Sequence, residues 1–354
     1  MQHNPKHLLE LSNGKKKLPL TDKKDILTRC IYGVDIDVHA VEVSKFSLLI
    51  KLIEDETLAS VKECVPILPD LSFNIKNGNS LICREDISGK DMSIEVLCNI
   101  KPFEWSMINS GSKFDAIIGN PPYVKTEDIH TLETEAEFAV YKKKYKSAYK
   151  QFDKYFLFLE EAFNILKENG QMCYIVPNKF YKIGAGQELR RIISKHVSKL
   201  DDFGDMQLFP DKTIYSCIIT LCKESSKQME YTNVTSLIDL WTGEEQESIR
   251  IKNELLDENP WRLTTDIKFM KMIATVEENG KPLGEIVNIF NGIQTSAERP
   301  KPVYWFDKDE IVSETGEEII VDKFEKRYHI EKCILKPFFK PTKADEKGMV
   351  HIHC

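Results

Sequence analysis

The sequence predicts an α/β protein whose first part is built on a doubly wound, mostly parallel β-sheet. Short apolar runs typical of strands alternate with stretches of helical periodicity. Several of these runs end in polar or glycine residues, as strands do at the sheet edge where ligands bind. Beyond residue 224 the pattern loosens into charged stretches, and from Pro260 onward it gains aromatics and prolines. This change predicts a second, partial unit of α+β or β-rich character.

The predicted elements follow one another with short connections. Residues 1–27 are polar and lysine-rich and contain no clear strand. Strands are predicted at residues 30–37, 73–81, 114–118, 171–177, 200–203 and 214–221. Helices are predicted at residues 38–50, 152–166 and 186–197. The order divides the chain into a first domain at residues 1–228, a linker at 229–259 and the start of a second domain at 260–354.

Composition excludes several classes of protein. The chain has 354 residues, which is enough for two domains that each bury a core. Its net charge is −7, so any contact with nucleic acid must come from local basic patches. The nine cysteines form no C-x-x-C pair, and no metal site or disulfide framework is expected. Without a signal peptide or an apolar run of membrane-spanning length, we expect a cytoplasmic protein that does not contact a membrane.

One lysine-rich segment is a candidate for such a basic patch. Three tyrosines interleave with its lysines at intervals of four residues, as on a helix that grips phosphates. The simpler alternative is a solvated helix face. The candidate DNA-binding lysines of this segment are Lys142, Lys143, Lys144 and Lys146.

The most informative stretch of the chain is Asn120-Pro121-Pro122-Tyr123. It follows the apolar run 114–118 and Gly119, which we expect to form a buried parallel strand that ends in a rigid turn. Active sites of α/β enzymes lie at such strand ends. A turn fixed by its prolines alone is the alternative. The strand before the turn and the aromatic residue in its fourth position favour a catalytic function.

This tetrapeptide suits methylation of an exocyclic amine such as that of adenine. The lone pair of this amine is delocalised into the ring, so two acceptors that hold its two hydrogens favour the pyramidal nitrogen of the transition state. The side-chain oxygen of Asn120 is one acceptor. The backbone carbonyl of Pro121 is the other, held in direction by the fixed φ angles of the prolines. The ring of Tyr123 offers a stacking surface for an extruded base.

The methyl donor requires a site of its own. Asp35 ends the strand predicted at residues 30–37, where an acid typically holds ribose hydroxyls, and Ile36 provides an apolar face for a purine. Asn79 follows the next strand and is placed to bond the adenine edge of the donor. Alone, Asp35 is explained as a helix cap and Asn79 as a turn residue. Their positions at successive strand ends favour a donor site.

Three motifs together resemble the gamma class of adenine-N6 DNA methyltransferases, in the long form of type IIG restriction–modification enzymes: Gly33-Val34-Asp35-Ile36-Asp37, Gly78-Asn79-Ser80-Leu81 and Asn120-Pro121-Pro122-Tyr123. The resemblance covers nearly all of residues 30–340 and implies a Rossmann-like sheet. It implies S-adenosyl-L-methionine as cofactor and double-stranded DNA as partner. The residues that it implies are Asp35, Ile36, Asn79 and Ser80 for the cofactor, Asn120, Pro121, Pro122 and Tyr123 for catalysis, Tyr123 and Phe209 for stacking on the flipped base, and Gln294 and Thr295 for DNA recognition.

The start of the chain departs from the family pattern. The family has a glycine-rich turn upstream of the acid at position 35, whereas residues 1–33 contain only Gly14 and Gly33 and no G-x-G. Asn79 stands where an aspartate is usual. We therefore expect a sheet that is incomplete at its N-terminal end and a truncated second domain.

Three interpretations follow from this departure. The chain is a fragment of an adenine methyltransferase, one half of a split enzyme whose glycine-rich loop arrives on a second polypeptide, or a catalytically silent DNA-recognition subunit. A methyltransferase that acts on protein glutamine or on RNA is a rival, because such enzymes use the same tetrapeptide. Cytosine N4 is a less favoured target than adenine.

Overall fold

The computed structural model of the protein describes residues 8–10, 14, 16–87, 94–111, 113–209, 214–244, 246–287, 311–323 and 326–334. The chain forms two compact units, Met1–Met272 and Ile273–Cys354. Each unit is described by itself below.

The first unit contains most of the regular structure. Its strands are β1 (Leu9–Glu10), β2 (Lys16–Lys17), β3 (Gly33–Asp35), β4 (Ile75–Asn77), β5 (Phe114–Gly119), β6 (Leu166–Pro177), β7 (Val197–Gln207), β8 (Tyr215–Cys222), β9 (Gln228–Asn233) and β10 (Ser248–Lys252). Its helices are α1 (Leu20–Cys30), α2 (Val38–Ile53), α3 (Leu58–Glu63), α4 (Arg84–Ile87), α5 (Ile94–Ile100), α6 (Thr126–Leu132), α7 (Glu135–Lys144), α8 (Lys154–Ile165), α9 (Gln187–Ile193) and α10 (Leu237–Thr242). Helix α11 (Ile267–Asn279) spans the division between the units.

A six-stranded sheet in the order β10-β9-β7-β8-β6-β5 forms the centre of this unit. Its main core combines buried residues of α7 and α8 with those of β6, β7 and β8, among them Tyr141, Phe156, Met172, Leu200 and Ile219. Helices packed on a sheet in this way confirm the α/β class. The sheet is mixed rather than mostly parallel. β5 pairs with β6 and β7 with β9 in parallel, while β8 runs antiparallel between β6 and β7.

Strands β3 and β4 form a separate parallel pair, in which Gly33 lies opposite Ile75 and Asp35 opposite Asn77. A small core beneath them contains Leu27, Val41 and Leu52. Helix α1 was not predicted. Its sequence reads as polar because only Leu20 and Leu27 of its eleven residues are buried.

Two expectations about the first domain are wrong. Residues 229–259, predicted as a linker, contribute β9 and β10 to the six-stranded sheet, with Met229 and Ile251 buried. Charged residues such as Glu230 and Arg250 on the other faces of these strands obscure the strand pattern. The strand at Phe114–Gly119 is parallel, as predicted, but it is not buried. β5 is the last strand of the sheet, and Ile118 is 84% exposed.

The second unit contains helix α12 (Leu283–Ile286) and strands β11 (Ile311–Glu314), β12 (Glu318–Lys323) and β13 (Lys326–Glu331). The strands form an antiparallel sheet in chain order, and the unit buries Ile319 and Val321 of β12. Gln294 and Thr295, predicted to contact DNA, lie outside the described residues.

Candidate active site

The Asn120–Tyr123 tetrapeptide begins directly where β5 ends. Gly119 lies opposite Tyr174 of β6, and a Cβ atom added at Gly119 would lie 2.9 Å from Cε1 of the Tyr174 ring. Only glycine lets the two strands approach so closely at this point. Asn120 is exposed, whereas Pro121 is buried. The amide of Asn120 is therefore presented to solvent from a turn that is anchored in the core.

Tyr123 is held in place through both its ring and its hydroxyl group. The hydroxyl donates a hydrogen bond to the carbonyl oxygen of Ile175 on β6, at 3.1 Å. The ring contacts that of Tyr155, with centroids 6.3 Å apart, and that of Phe209, with centroids 6.2 Å apart. Burial raises the pKa of Tyr123 to about 12. The side chain therefore offers a neutral, oriented aromatic surface and does not act as a base.

The structure brings together Tyr123 and Phe209, which are 86 positions apart in the chain and were predicted to stack on one base. Phe209 lies two residues after the end of β7, and its carbonyl accepts a hydrogen bond from Nε2 of Gln207 at 3.3 Å. The two rings meet edge to face, with an interplanar angle of 68°. Both side chains are partly exposed, so the pair is open to an approaching ligand.

Tyr155 packs against Tyr123, and sequence reasoning did not identify it. Its side chain is completely buried, and its hydroxyl donates to the carbonyl oxygen of Pro177 at 3.1 Å. Burial places the pKa of Tyr155 well above its ordinary value. The signal in the sequence was weak, because Tyr155 lies among the apolar residues of α8 and reads as core.

A buried carboxylate fixes the exit of β6 against β7. Asp202 accepts hydrogen bonds from Nδ2 of Asn178 at 2.9 Å, from the hydroxyl of Tyr231 at 3.2 Å and from the hydroxyl of Tyr181. Asn178 also donates to the carbonyl of Gly204 at 3.3 Å. Since Asn178 follows β6 directly and β7 leads to Phe209, this network sets the spacing between the two strands that support the aromatic pair. Sequence reasoning missed it, because Asp202 was assigned simply to a strand.

A second buried carboxylate lies at the start of α8. Asp153 is 4% exposed, and its Oδ1 accepts a hydrogen bond from Nζ of Lys179 at 2.9 Å, while its Oδ2 lies 2.8 Å from the same Nζ as an ion pair. Burial raises the pKa of Asp153, and the neighbouring Lys179 opposes this shift. Asp153 also forms a β-bridge with Lys125, two residues after Tyr123. This bridge connects the chain that follows the tetrapeptide to the residue that directly precedes α8.

Asp35 and Ile36 were predicted to bind the cofactor; Asp35 ends β3, Ile36 follows it directly, and both are exposed. One carboxylate oxygen of Asp35 accepts from the backbone N–H of Asp37 at 2.8 Å. Nδ2 of Asn77 donates to the carbonyls of Asp35 and Ile36, at 3.0 and 2.9 Å. The helix cap that was the alternative for Asp35 is in fact Asp37, whose side chain accepts from the N–H of His39 at the start of α2. Asp35 is therefore not occupied as a cap.

Asn79 and Ser80, the other two predicted cofactor residues, are engaged within the fold. Asn79 is 4% exposed, accepts from the N–H of Leu81 at 3.1 Å and donates to Oε1 of Glu137 at 3.4 Å. The carbonyl of Ser80 accepts from Nε1 of Trp105 at 3.0 Å. These hydrogen bonds give both residues a function within the fold. Their direct contact with a cofactor stays a prediction.

The lysine-rich segment differs from the predicted phosphate-gripping helix. Helix α7 ends at Lys144, and Tyr141 and Tyr145 are buried in the core, so the tyrosines do not line an exposed face. Nζ of Lys142 donates to the carbonyls of residues 148 and 150, and Nζ of Lys144 pairs with Asp86 at 3.0 Å. Lys143 and Lys146 are exposed. Of the four predicted DNA-binding lysines, these two are the better placed to meet a phosphate.

The Eco57I restriction-modification methylase family matches residues 29–209, a range that contains Asp35, the Asn120–Tyr123 tetrapeptide and Phe209. The chain belongs to this family. It is 39% identical over 355 aligned positions to the type II restriction enzyme and methyltransferase RM.Eco57I of Escherichia coli. That match covers 98% of this chain and 34% of RM.Eco57I, so the chain spans about a third of the length of that relative.

Shorter matches link this member of the Eco57I family to further methyltransferases. The type II methyltransferase M.BstVI of Geobacillus stearothermophilus is 34% identical over 82 residues, which cover 23% of this chain and 14% of that protein. Among solved structures, a nuclease-deletion mutant of the Type ISP restriction-modification enzyme LlaGI in complex with a DNA substrate mimic gives a TM-score of 0.47 at 14% identity. It covers 71% of this chain and 23% of that one. This structural likeness is too low to add to the assignment.

The described residues hold no group of three or more His, Cys, Asp or Glu side chains able to bind a metal ion. Among the helices of the same residues, none has the length and apolar character needed to cross a membrane. A cleft of about 440 Å³ between α1 and α2 is lined by residues such as Ile26, Leu48 and Lys51. It includes none of the predicted site residues, and we assign it no function.

Proposed function

We propose that this chain is the catalytic part of a site-specific DNA methyltransferase that transfers a methyl group from S-adenosyl-L-methionine to N6 of a flipped adenine, within a restriction–modification system. The observation that carries the proposal is the juxtaposition of an exposed Asn120 with the Tyr123–Phe209 pair at the end of β5. Membership of the Eco57I family and the similarity to RM.Eco57I support the same reaction. The protein would act in the cytoplasm on double-stranded DNA.

In this mechanism the turn binds the amine and does not remove its proton through a strong base. The side-chain oxygen of Asn120 and the carbonyl of Pro121 accept the two N–H groups of the adenine amine, which favours the pyramidal nitrogen of the transition state. Pro122 limits rotation of the turn. Tyr123, neutral because burial raises its pKa to about 12, and Phe209 provide the surfaces on which the extruded ring stacks.

The chemistry of the β3 edge fits part of the proposed cofactor. The exposed carboxylate of Asp35 is suited to ribose hydroxyls, and Ile36, which is 44% exposed beside it, is suited to a purine face. S-adenosyl-L-methionine, when bound, supplies the electrophilic methyl group and a neutral leaving group. Asn79 and Ser80 already form hydrogen bonds within the fold, and their contacts with the cofactor would be made in addition to these bonds.

The remainder of the cofactor site would come from outside these residues. The chain matches about a third of RM.Eco57I, and we propose that a glycine-rich loop carried on a second polypeptide completes the pocket of this chain. DNA recognition would involve the exposed Lys143 and Lys146, and the second unit with Gln294 and Thr295 as part of a target-recognition domain.

The test is methyl transfer by the full chain mixed with the segments of RM.Eco57I that lie outside the match to this chain. We expect tritiated methyl groups to enter duplex DNA and mass spectrometry to identify N6-methyladenine. Asn120→Ala should abolish transfer, whereas the matched variant Asn169→Ala, at an exposed position of β6, should retain it. Transfer by Asn120→Ala would refute the mechanism, and N4-methylcytosine or labelled protein would refute the substrate.

Phe209→Ala separates the stacking function from catalysis. Base stacking on an aromatic side chain contributes about 1–3 kcal/mol, and this contribution matters most when the base must leave an intact duplex. We expect Phe209→Ala to lower turnover more on a paired adenine than on a mismatched one. Equal losses on both substrates would exclude a function in holding the flipped base.

A further inference from the structure

The two halves of the proposed site lie on different sheets of the first unit. Asp35 ends β3 of the two-stranded sheet, whereas Asn120 follows β5 of the six-stranded sheet. Among the described residues, no strand pairs one sheet with the other. Reacting groups must be held about 3–3.5 Å apart, and a displacement of about 1 Å costs a factor of about 100 in rate. Contacts that fix one sheet against the other are therefore important for transfer between them.

The chain that leaves β4 is bonded to the backbone of Asp35. The N–H of Gly78 donates to the carbonyl oxygen of Asp35 at 2.9 Å, and Nδ2 of Asn77 donates to the same oxygen at 3.0 Å. Gly78 also has little freedom to move, because a Cβ atom added there would lie 2.8 Å from Cβ of Phe103. A displacement of residues 78 and 79 would therefore displace Asp35 as well.

Asn79 in turn meets a buried carboxylate of α7. Asn79 and Glu137 are only 4% and 6% exposed. Nδ2 of Asn79 donates to Oε1 of Glu137 at 3.4 Å, and Oδ1 of Asn79 accepts from the N–H of Leu81 at 3.1 Å. Oε2 of Glu137 accepts from the N–H and the hydroxyl of Thr134, at 2.8 and 2.9 Å, in the capping box of α7. These bonds fix the orientation of the amide, with its nitrogen toward Glu137 and its oxygen toward Leu81.

Helix α7 connects this pair to the elements around the catalytic turn. The helix contributes buried residues to the main core, which also contains Tyr155, the residue that packs against Tyr123. At the end of α7, Nζ of Lys144 and the hydroxyl of Tyr145 donate to the carbonyl oxygen of Leu81, at 3.0 and 2.6 Å. Helix α7 therefore holds the chain after β4 at two points, through the buried pair and through this carbonyl group.

We propose that Glu137 is a positioning residue for methyl transfer, which acts through Asn79 to hold the edge at Asp35 in place relative to the tetrapeptide. This inference rests on the proposed function, because it concerns the alignment of methyl donor and acceptor. The geometry allows only one acid in the pair. A carboxylate at position 79 would face that of Glu137 across 3.4 Å in a buried site, where two carboxylates do not both ionise readily.

Exchanging the two functional groups tests this assignment. Asn79→Asp sets two carboxylates against each other. Glu137→Gln sets two amide nitrogens against each other, because the donors of Thr134 require the amide oxygen. The double variant Asn79→Asp/Glu137→Gln restores one donor and one acceptor and leaves the net charge unchanged. Matched controls are Glu135→Gln, at an exposed position of α7, and Asn169→Asp, at an exposed position of β6.

Hydrogen exchange of the full chain measures the alignment without cofactor or DNA. The amide of Gly78 reports on the bond to Asp35, and the amide of Leu81 reports on the bond to Asn79. Both amides should exchange about tenfold faster or more in each single variant, and within about threefold of the native rate in the double variant. The controls should exchange at the native rate. Native protection of Gly78 in both single variants would overturn the proposal, whatever the outcome for the reaction.

The pH dependence of exchange identifies the repulsion between the two carboxylates. Protonation of either acid removes it, so the ratio of exchange rates between Asn79→Asp and the native chain should fall from about pH 7.5 to about pH 5.5. Other ionisable groups near the pair are Tyr141, whose pKa burial raises, and Glu133, which pairs with Lys154. The native chain contains the same groups, so their titration cancels in the ratio. The ratio for Glu137→Gln should not change with pH, and the same pH dependence in both single variants would contradict the repulsion.

Methyl transfer, in the mixture that tests the proposed function, distinguishes positioning from folding. At saturating cofactor and DNA, each single variant should lower kcat by about tenfold or more, and the double variant should restore it to within about threefold. Native kcat in the single variants, or rescue of exchange without rescue of kcat, would refute the positioning function. Failure of the native mixture to transfer methyl groups would instead refute the proposed function, and exchange at Gly78 would still decide whether Glu137 holds the edge at Asp35.

Discussion

Glu56 holds the N-terminal elements of the first unit together, and its replacement by glutamine is the prediction with the clearest magnitude. The side chain is 1% exposed and lies between Nζ of Lys17, at 3.1 Å, and Nζ of Lys23, at 2.8 Å. Ser60 donates its hydroxyl to the same carboxylate at 2.8 Å. Burial alone would raise the pKa of Glu56, but the hydrogen bonds from Lys23, Ser60 and Lys17 outweigh it and lower the pKa to about 2.

The size of the effect follows from this pKa. A fall from the ordinary value of 4.5 to about 2 corresponds to about 3 kcal/mol in the free energy of unfolding at neutral pH. Glutamine retains part of the hydrogen bonding, so we expect Glu56→Gln to lower the free energy of unfolding by about 2–3 kcal/mol. Because the folded-state pKa is lowered, the stabilisation is complete above pH 4.5 and is lost as the pH falls from there toward 2.

Urea unfolding, followed by circular dichroism, measures both statements. The difference between the native chain and Glu56→Gln should be largest at pH 7.5 and smaller by about 1 kcal/mol at pH 4. The control is Glu54→Gln, which removes an exposed partner of Lys51 and should leave the midpoint unchanged. Equal stability of Glu56→Gln and the native chain, or a difference that does not change with pH, would show that the buried carboxylate does not stabilise this region.

Two further substitutions test the packing around the tetrapeptide. Gly119→Ala would place its Cβ 2.9 Å from the Tyr174 ring, and we expect a loss of about 1–3 kcal/mol in the free energy of unfolding. Gly184→Ala, which meets nothing within 4 Å, is its control, and similar stabilities of the two variants in urea would contradict the close approach. Tyr155→Phe leaves the carbonyl of Pro177 without its 3.1 Å hydrogen bond and should destabilise by about 1–3 kcal/mol, whereas Tyr215→Phe, at an exposed site, should not. Equal thermal midpoints for these two tyrosine variants would show that the buried hydroxyl contributes nothing.

The sequence predicted the elements that carry the site, but not where they lie in the sheet. The apolar run before Asn120 identifies a strand because its periodicity is local. Whether that strand is central or last depends on which other strands pair with it, and no pattern in the run itself contains this information. Ile118 therefore looked like core and proved to be exposed. Strands β9 and β10 were missed for the opposite reason, since their charged outward faces conceal buried residues such as Tyr231.

The site residues were likewise predicted only in part from the sequence. Tyr123 was predicted as a stacking surface from the tetrapeptide and Phe209 from the resemblance, and the structure brings their rings into contact. Asp202 and Asn178 were not identified, because a hydrogen bond between residues 24 positions apart depends on the pairing of β6 and β7 through β8. Lys142 and Lys144 were predicted to face DNA, yet neighbouring carbonyl and carboxylate groups occupy their ammonium groups. Composition alone does not distinguish such lysines from the exposed Lys143.

Under the proposed function, the edge-to-face contact between Tyr123 and Phe209 would affect how tightly a base is held. In the free protein each ring already shields part of the other, so a base that enters replaces one aromatic contact with others instead of covering two bare surfaces. A ring pair contributes about 0.5–1.5 kcal/mol beyond its buried area, and a stacked base contributes about 1–3 kcal/mol. The net free energy gained on binding a base would be the stacking contribution minus the ring-pair contribution that is lost. Under the proposed function, a pocket built in this way would release a methylated base readily.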